Sequence, residues 1–89
     1  MEIIRKRIRF LGYVQGVGFR YKACYAARSM NITGWVENCD DGSVELEAEG
    51  TREAIGELVE KLCAHTWGHV DEIRSENIPL QHDYGFEIR

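Results

Sequence analysis

Seven consecutive residues, Val14-Gln15-Gly16-Val17-Gly18-Phe19-Arg20, combine the types that hold a small oxyanion. A glycine-rich turn opening a helix presents several backbone N–H groups to one point, and the helix N-terminus adds partial positive charge there. Arg20 follows with a planar guanidinium able to grip two oxygens at once. A phosphate, or another small oxyanion, suits all three. Generic phosphate motifs do not describe the segment: no Gly-Lys-Ser/Thr follows, as a P-loop requires. Tyr21 stands where a dinucleotide fingerprint has its third glycine. On spacing alone a second reading stands level, in which the glycines only make a tight turn and Arg20 is a solvated helix residue.

Other reactive types are scattered. His65 and His69 are four apart, but Trp67 and Gly68 lie between them, past the end of an apolar-periodic stretch. With His82 they are expected to be solvent-facing loop histidines, and no metal site is expected. Cys24, Cys39 and Cys63 are odd in number, far apart and in no CxxC pair, so neither disulfides nor zinc is suggested. Eleven Lys and Arg against fifteen Asp and Glu give a net charge of −4, which argues against nucleic-acid binding. No apolar run approaches the roughly 18 residues of a membrane span. Arg5, Lys6, Arg7 and Arg9 interrupt the place where a signal peptide would be apolar. The expectation is a cytoplasmic monomer with neither nucleic acid nor membrane as partner.

Eighty-nine residues make one domain, 1–89, since two would each lack a core. From Ile4 to Val14 the pattern alternates, with Ile8, Phe10, Gly12 and Val14 on one side and Arg5, Arg7 and Arg9 on the other: a half-buried strand. Phe19, Ala23, Ala26, Ala27 and Met30 then form a helical stripe, closed by Asn31, a residue that tolerates the left-handed conformation. Thr33 to Asn38 read as a second strand, Asp41-Gly42 as a hairpin turn, and Ser43 to Glu49 as a third strand ended by Gly50. Thr51 is a plausible N-cap for a helix whose face is Ile55, Leu58, Val59 and Leu62. Gly56 weakens that helix by about 1 kcal/mol relative to Ala. A fourth strand runs from about Val70 to Asn77, Pro79 ends it, and Phe86 to Arg89 add a short edge strand.

The order β-α-β-β-α-β predicts an α+β ferredoxin-like plait: an antiparallel sheet with two helices on one face and a short C-terminal edge strand. In its usual strand order the first strand lies antiparallel beside the third. Arg5, Arg7 and Arg9 then face Glu45, Glu47 and Glu49 across the exposed side, each pair contributing at most about 1 kcal/mol. RNA-recognition modules share this order, but they stack bases on aromatics where this chain has Arg and Glu.

Gly12-x-Val14-Gln15-Gly16-Val17-x-Phe19-Arg20 resembles the first signature of the acylphosphatase family. Gly34-Trp35-Val36-x-Asn38, continuing through Gly42-x-Val44 to Gly50, resembles the second, and Thr33 and Phe86-Glu87-Ile88-Arg89 are similar to the family too. The resemblance implies the plait already reached from periodicity. It also implies hydrolysis of acyl phosphates without a metal or other cofactor, with a small-molecule acyl phosphate as substrate and inorganic phosphate as product or inhibitor. By match to the motifs, Arg20 is expected to bind the phosphoryl group and Asn38 to orient the attacking water. Backbone amides of Gln15, Gly16, Val17, Gly18 and Phe19 are expected to complete the cradle.

A site this sparse suits the chemistry. A carboxylate leaves without a strong acid, and phosphoryl transfer asks mainly for positioning and charge stabilisation. A neutral amide holds water without setting a negative charge beside the phosphate. Asn38 has a plainer reading as a hairpin cap. Trp35 reads as a core or sheet-face residue, Tyr13, Tyr21 and Tyr25 as surface packing or a cleft rim, and Cys39 as inert.

Two positions depart from the family pattern. Glu37 replaces a residue that is usually basic or uncharged, and alternation points it away from Asn38. Ala64 to His69 replace a stretch that is commonly Gly/Pro-rich, which bears on loop conformation and substrate access. A second function class follows from the same resemblance. Similar domains lie at the N-terminus of hydrogenase-maturation carbamoyltransferases, so a non-catalytic module binding phosphate or carbamoyl phosphate is the alternative.

Overall fold

The alternation between Ile3 and Tyr13 produces strand β1, which buries Ile8 and Phe10 on one face. The computed structural model describes residues 2–65 and 68–89, the His65 side chain excepted. Helix α1, Phe19–Ser29, buries Phe19, Ala23, Cys24 and Ala27, and Asn31 beyond it takes the left-handed φ of 56°. Strands β2, Thr33–Asn38, and β3, Val44–Thr51, form the hairpin. Helix α2, Arg52–His65, starts where Thr51 Oγ1 accepts the Ala54 N–H at 3.1 Å. Strand β4, His69–Ile78, and strand β5, Phe86–Ile88, complete the chain.

The strand order is β4-β1-β3-β2-β5, with α1 packed against β2 and β5 and α2 against β3. Val36, Val44, Leu46 and Ala48 meet Ala23, Ala27, Ile55, Leu58 and Leu62 in the core between sheet and helices. The Phe10 and Phe19 rings meet edge to face at 4.9 Å, which fixes the start of α1 over β1. None of the helices among the described residues is long and apolar enough to cross a membrane.

Four expectations are corrected. The sheet is mixed rather than antiparallel, because β5 pairs parallel with β2, Gly34 beside Phe86 and Val36 beside Ile88. The chain leaves β4 where Ile78 lies beside Arg5, at the end of the sheet where Thr33 begins β2 opposite Glu49. A strand entering from that end must run with β2. Gly50 does not end β3; it pairs with Ile4, and the strand continues to Thr51.

The facing rows are as expected, Arg5 with Glu49, Arg7 with Glu47 and Arg9 with Glu45. They are not all exposed, however: Arg5 is 2% exposed and Glu47 and Glu49 are each 6% exposed. Residues 81–83 fold over that side of the sheet, so Arg5 lies 2.8 Å from Glu47, 3.1 Å from Glu49 and 3.0 Å from Asp83. The Gln81 and His82 amides donate to Glu49 at 2.8 and 3.1 Å.

His69 opens β4 instead of lying in a loop, with Nε2 2.9 Å from Asp71 Oδ1, and His82 is exposed. Within the Ala64–His69 stretch, Thr66, Trp67 and the His65 side chain lie outside the described residues.

Candidate active site

Strands β1 and β2 both lie antiparallel to β3, so they run the same way and end at the same edge of the sheet. The turn after β1 therefore lies at the same edge as the last residue of β2. Gly16 and Gly18 take φ of 75° and 77°, conformations that glycine adopts without the strain a Cβ brings. A Cβ at either would meet nothing within 4 Å, so it is the backbone angle, with open space above it, that selects glycine.

Gly18 is the N-cap of α1 and supplies no side-chain cap, and no acidic residue lies in the first turn. The partial positive charge of the helix end is thus left unneutralised by its own turn. Beneath the turn, Gly68 packs so closely on the Tyr13 carbonyl that a Cβ there would collide with it.

Arg20 stands in the first turn of α1. Its Nη1 donates to the main-chain oxygen of Arg89 at 2.9 Å. The rest of its guanidinium makes no hydrogen bond among the described residues, which leaves donors for oxygens of a ligand. Arg89 is itself fixed twice: its amide donates to the Val36 carbonyl at 2.8 Å, and its guanidinium lies over the Trp35 ring at 4.5 Å. Trp35 is on the sheet face, 8% exposed, as a core or sheet-face residue should be.

Asn38 closes β2 opposite Val44, and alternation puts it on the helix-bearing face with Val36. It is exposed, and its side chain makes no hydrogen bond among the described residues. The hairpin is capped by another residue. Asp41 Oδ1 accepts the Ser43 hydroxyl at 2.6 Å and the Ser43 amide at 2.9 Å. Those two bonds, the hydroxyl first, hold the Asp41 carboxyl below the usual carboxylate range. The capping reading of Asn38 is therefore filled by Asp41. Glu37 lies opposite Glu45, on the face away from Asn38.

Turn and hairpin are tied by the Gln15 side chain, whose Nε2 donates to the carbonyls of Cys39 at 2.7 Å and Ser43 at 2.9 Å. The structure thus brings Gln15, Gly16, Val17, Gly18, Phe19, Arg20 and Asn38 to one end of the sheet. Tyr13, Tyr21 and Tyr25 are exposed outside the core, and Cys39 is half-buried with its carbonyl in the Gln15 contact. Sequence reading missed two features here. A polar side chain with two donors next to the glycine turn is the available signal for Gln15; nothing in the local sequence marks the Arg89 main-chain oxygen as the partner of Arg20.

Fold and site together define a small ferredoxin-like α+β protein with a glycine-rich strand-to-helix turn beside an arginine. A family model for acylphosphatase matches residues 6–88. The chain is 46% identical over 80 residues to an acylphosphatase of Bifidobacterium longum, covering 89% of this chain and 82% of that one. Its structure is similar to that of acylphosphatase from Bacillus subtilis, with TM-score 0.92 and 36% identity over 99% of both chains. It is also similar to part of full-length HypF in the phosphate- and nucleotide-bound form, with TM-score 0.88 and 25% identity over 99% of this chain but 12% of that one. The chain belongs to the acylphosphatase family.

Proposed function

We propose that the chain hydrolyses acyl phosphates by attack of water on phosphorus, without a metal. The observation that carries this reading is Arg20, anchored by one N–H on the Arg89 main-chain oxygen beside a helix end without a side-chain cap. Water forms a bond to phosphorus while the bond from phosphorus to the carboxyl oxygen breaks. The products are a carboxylate and dihydrogen phosphate, which together keep the two negative charges of the substrate. The remaining Arg20 donors and the amides of Gln15, Gly16, Val17, Gly18 and Phe19 hold the equatorial oxygens as charge spreads over them.

The Asn38 amide oxygen accepts a hydrogen bond from the attacking water and so points the water lone pair at phosphorus. It carries no charge to repel the substrate. A low leaving-group pKa removes the need for a general acid. The odd number and wide spacing of the cysteines and the negative net charge support a cytoplasmic protein that acts on a small molecule as a monomer.

Hydrolysis of acetyl phosphate in 18O-labelled water tests the reaction. Label is expected in phosphate, with a rate unchanged by EDTA; label in acetate would place the attack at the carbonyl carbon and overturn the reading. The likeness to HypF favours one rival, a module that binds phosphate or carbamoyl phosphate without turnover. Phosphate binding by calorimetry with no acetyl phosphate consumed would select that rival.

A further inference from the structure

The Gln15 amide spans a gap that the backbone leaves open. One end belongs to the turn that forms the phosphate cradle, and the other is the β2–β3 hairpin that carries Asn38. Both N–H groups of Nε2 are used, on Cys39 O and on Ser43 O. These two carbonyls already close the hairpin, since Ser43 O accepts the Cys39 amide at 2.8 Å and Cys39 O accepts the Gly42 amide at 3.1 Å. Gln15 therefore binds the hairpin where its own backbone bonds close it, starting one residue beyond Asn38. No other hydrogen bond among the described residues joins the turn to the hairpin.

We propose that the Gln15 side chain is a positioning residue for hydrolysis: it sets the separation between the phosphoryl group in the cradle and the water held by Asn38. This is distinct from the role of its backbone amide in the cradle, and it rests on the proposed reading of Asn38. In-line displacement needs the attacking oxygen within a near-attack distance of phosphorus, and a displacement of about 1 Å costs about a hundredfold in rate. Phosphate binding needs no such alignment, because Arg20 and the turn amides lie on the cradle side of the gap. An apolar side chain of similar size keeps the turn filled but cannot bond either carbonyl.

The test compares Gln15→Leu and Gln15→Met with Asn38→Ala and the double variant Gln15→Leu/Asn38→Ala, using acetyl phosphate turnover and inhibition by inorganic phosphate. The expected result is a kcat loss of about ten- to a hundredfold in both Gln15 variants, with the phosphate inhibition constant within about twofold of wild type. Once Asn38 is gone there is no held water to align, so Gln15→Leu should cost less than about twofold in the Asn38→Ala background.

Wild-type kcat, an equal loss of phosphate affinity, or multiplicative losses in the double variant would each overturn the proposal. So would failure of both Gln15 variants to fold, since the side chain would then be holding the domain together and not the alignment. Near-normal turnover by Asn38→Ala alone would instead remove the reading of the site on which the proposal stands.

Discussion

Arg20 has one N–H on the main-chain oxygen of Arg89, and the rest of its guanidinium makes no hydrogen bond among the described residues. A lysine there keeps the charge but not the fork, so it cannot bond Arg89 O and two phosphoryl oxygens together. Arg20→Lys is expected to lose about a hundredfold or more in kcat/KM, read from steady-state kinetics on acetyl phosphate. Gly18 provides a test of a different kind. Alanine meets no neighbour there but must hold φ near 77°, so Gly18→Ala should cost about 1–2 kcal/mol in urea unfolding.

At this scale the residue types were readable and most partners were not. Arg20, Asn38 and the glycines stand in contiguous motifs. The partner of Arg20 lies 69 positions away, and the cap that relieves Asn38 of the hairpin is one of two adjacent aspartates.

Elements join the two faces of the sheet. The segment between β4 and β5 is pinned by its Gln81 and His82 amides on Glu49, and from there the chain runs through β5 to Arg89. Burial by itself pushes Glu49 up, but the Gln81 amide, Arg5 and the His82 amide together outweigh it and hold the carboxylate below its ordinary range. Because the folded value is depressed, the stabilisation is complete above the unfolded value of about 4.3 and is lost as pH falls through the folded one. Thermal unfolding followed from pH 7 to 2 should therefore show wild type losing stability below about pH 4.3, and Glu49→Gln showing a smaller slope in that window. At neutral pH Glu49→Ala should cost about 3 kcal/mol, since it strands two amides and weakens the pairing of buried Arg5.

Hydrophobic period marks β1, β3 and both helices, because burial on one face writes itself into spacing. It could not reveal the burial of Arg5 or the direction of β5. Both depend on where a loop of mixed polarity crosses the sheet, and such a loop has no periodic signal.

Across the whole molecule, the proposed site draws on the turn between β1 and α1, on the end of β2 and on Arg89 after β5, so a ligand seated there would couple elements from both ends of the chain. We expect residues 1–89 to unfold as one cooperative unit. Inorganic phosphate at ten times its dissociation constant should stabilise that unit by about 1.4 kcal/mol, a rise of several degrees in Tm. In Arg20→Ala the same phosphate should leave Tm unchanged. The most direct measurement is steady-state turnover of acetyl phosphate, with phosphate as inhibitor, by wild type, Arg20→Ala and Asn38→Ala. Wild type should turn over and be inhibited competitively. Arg20→Ala should lose both turnover and phosphate affinity, whereas Asn38→Ala should lose turnover alone with its fold intact. Near-normal activity in both variants would contradict a phosphoryl cradle closed by one guanidinium and served by one amide-held water.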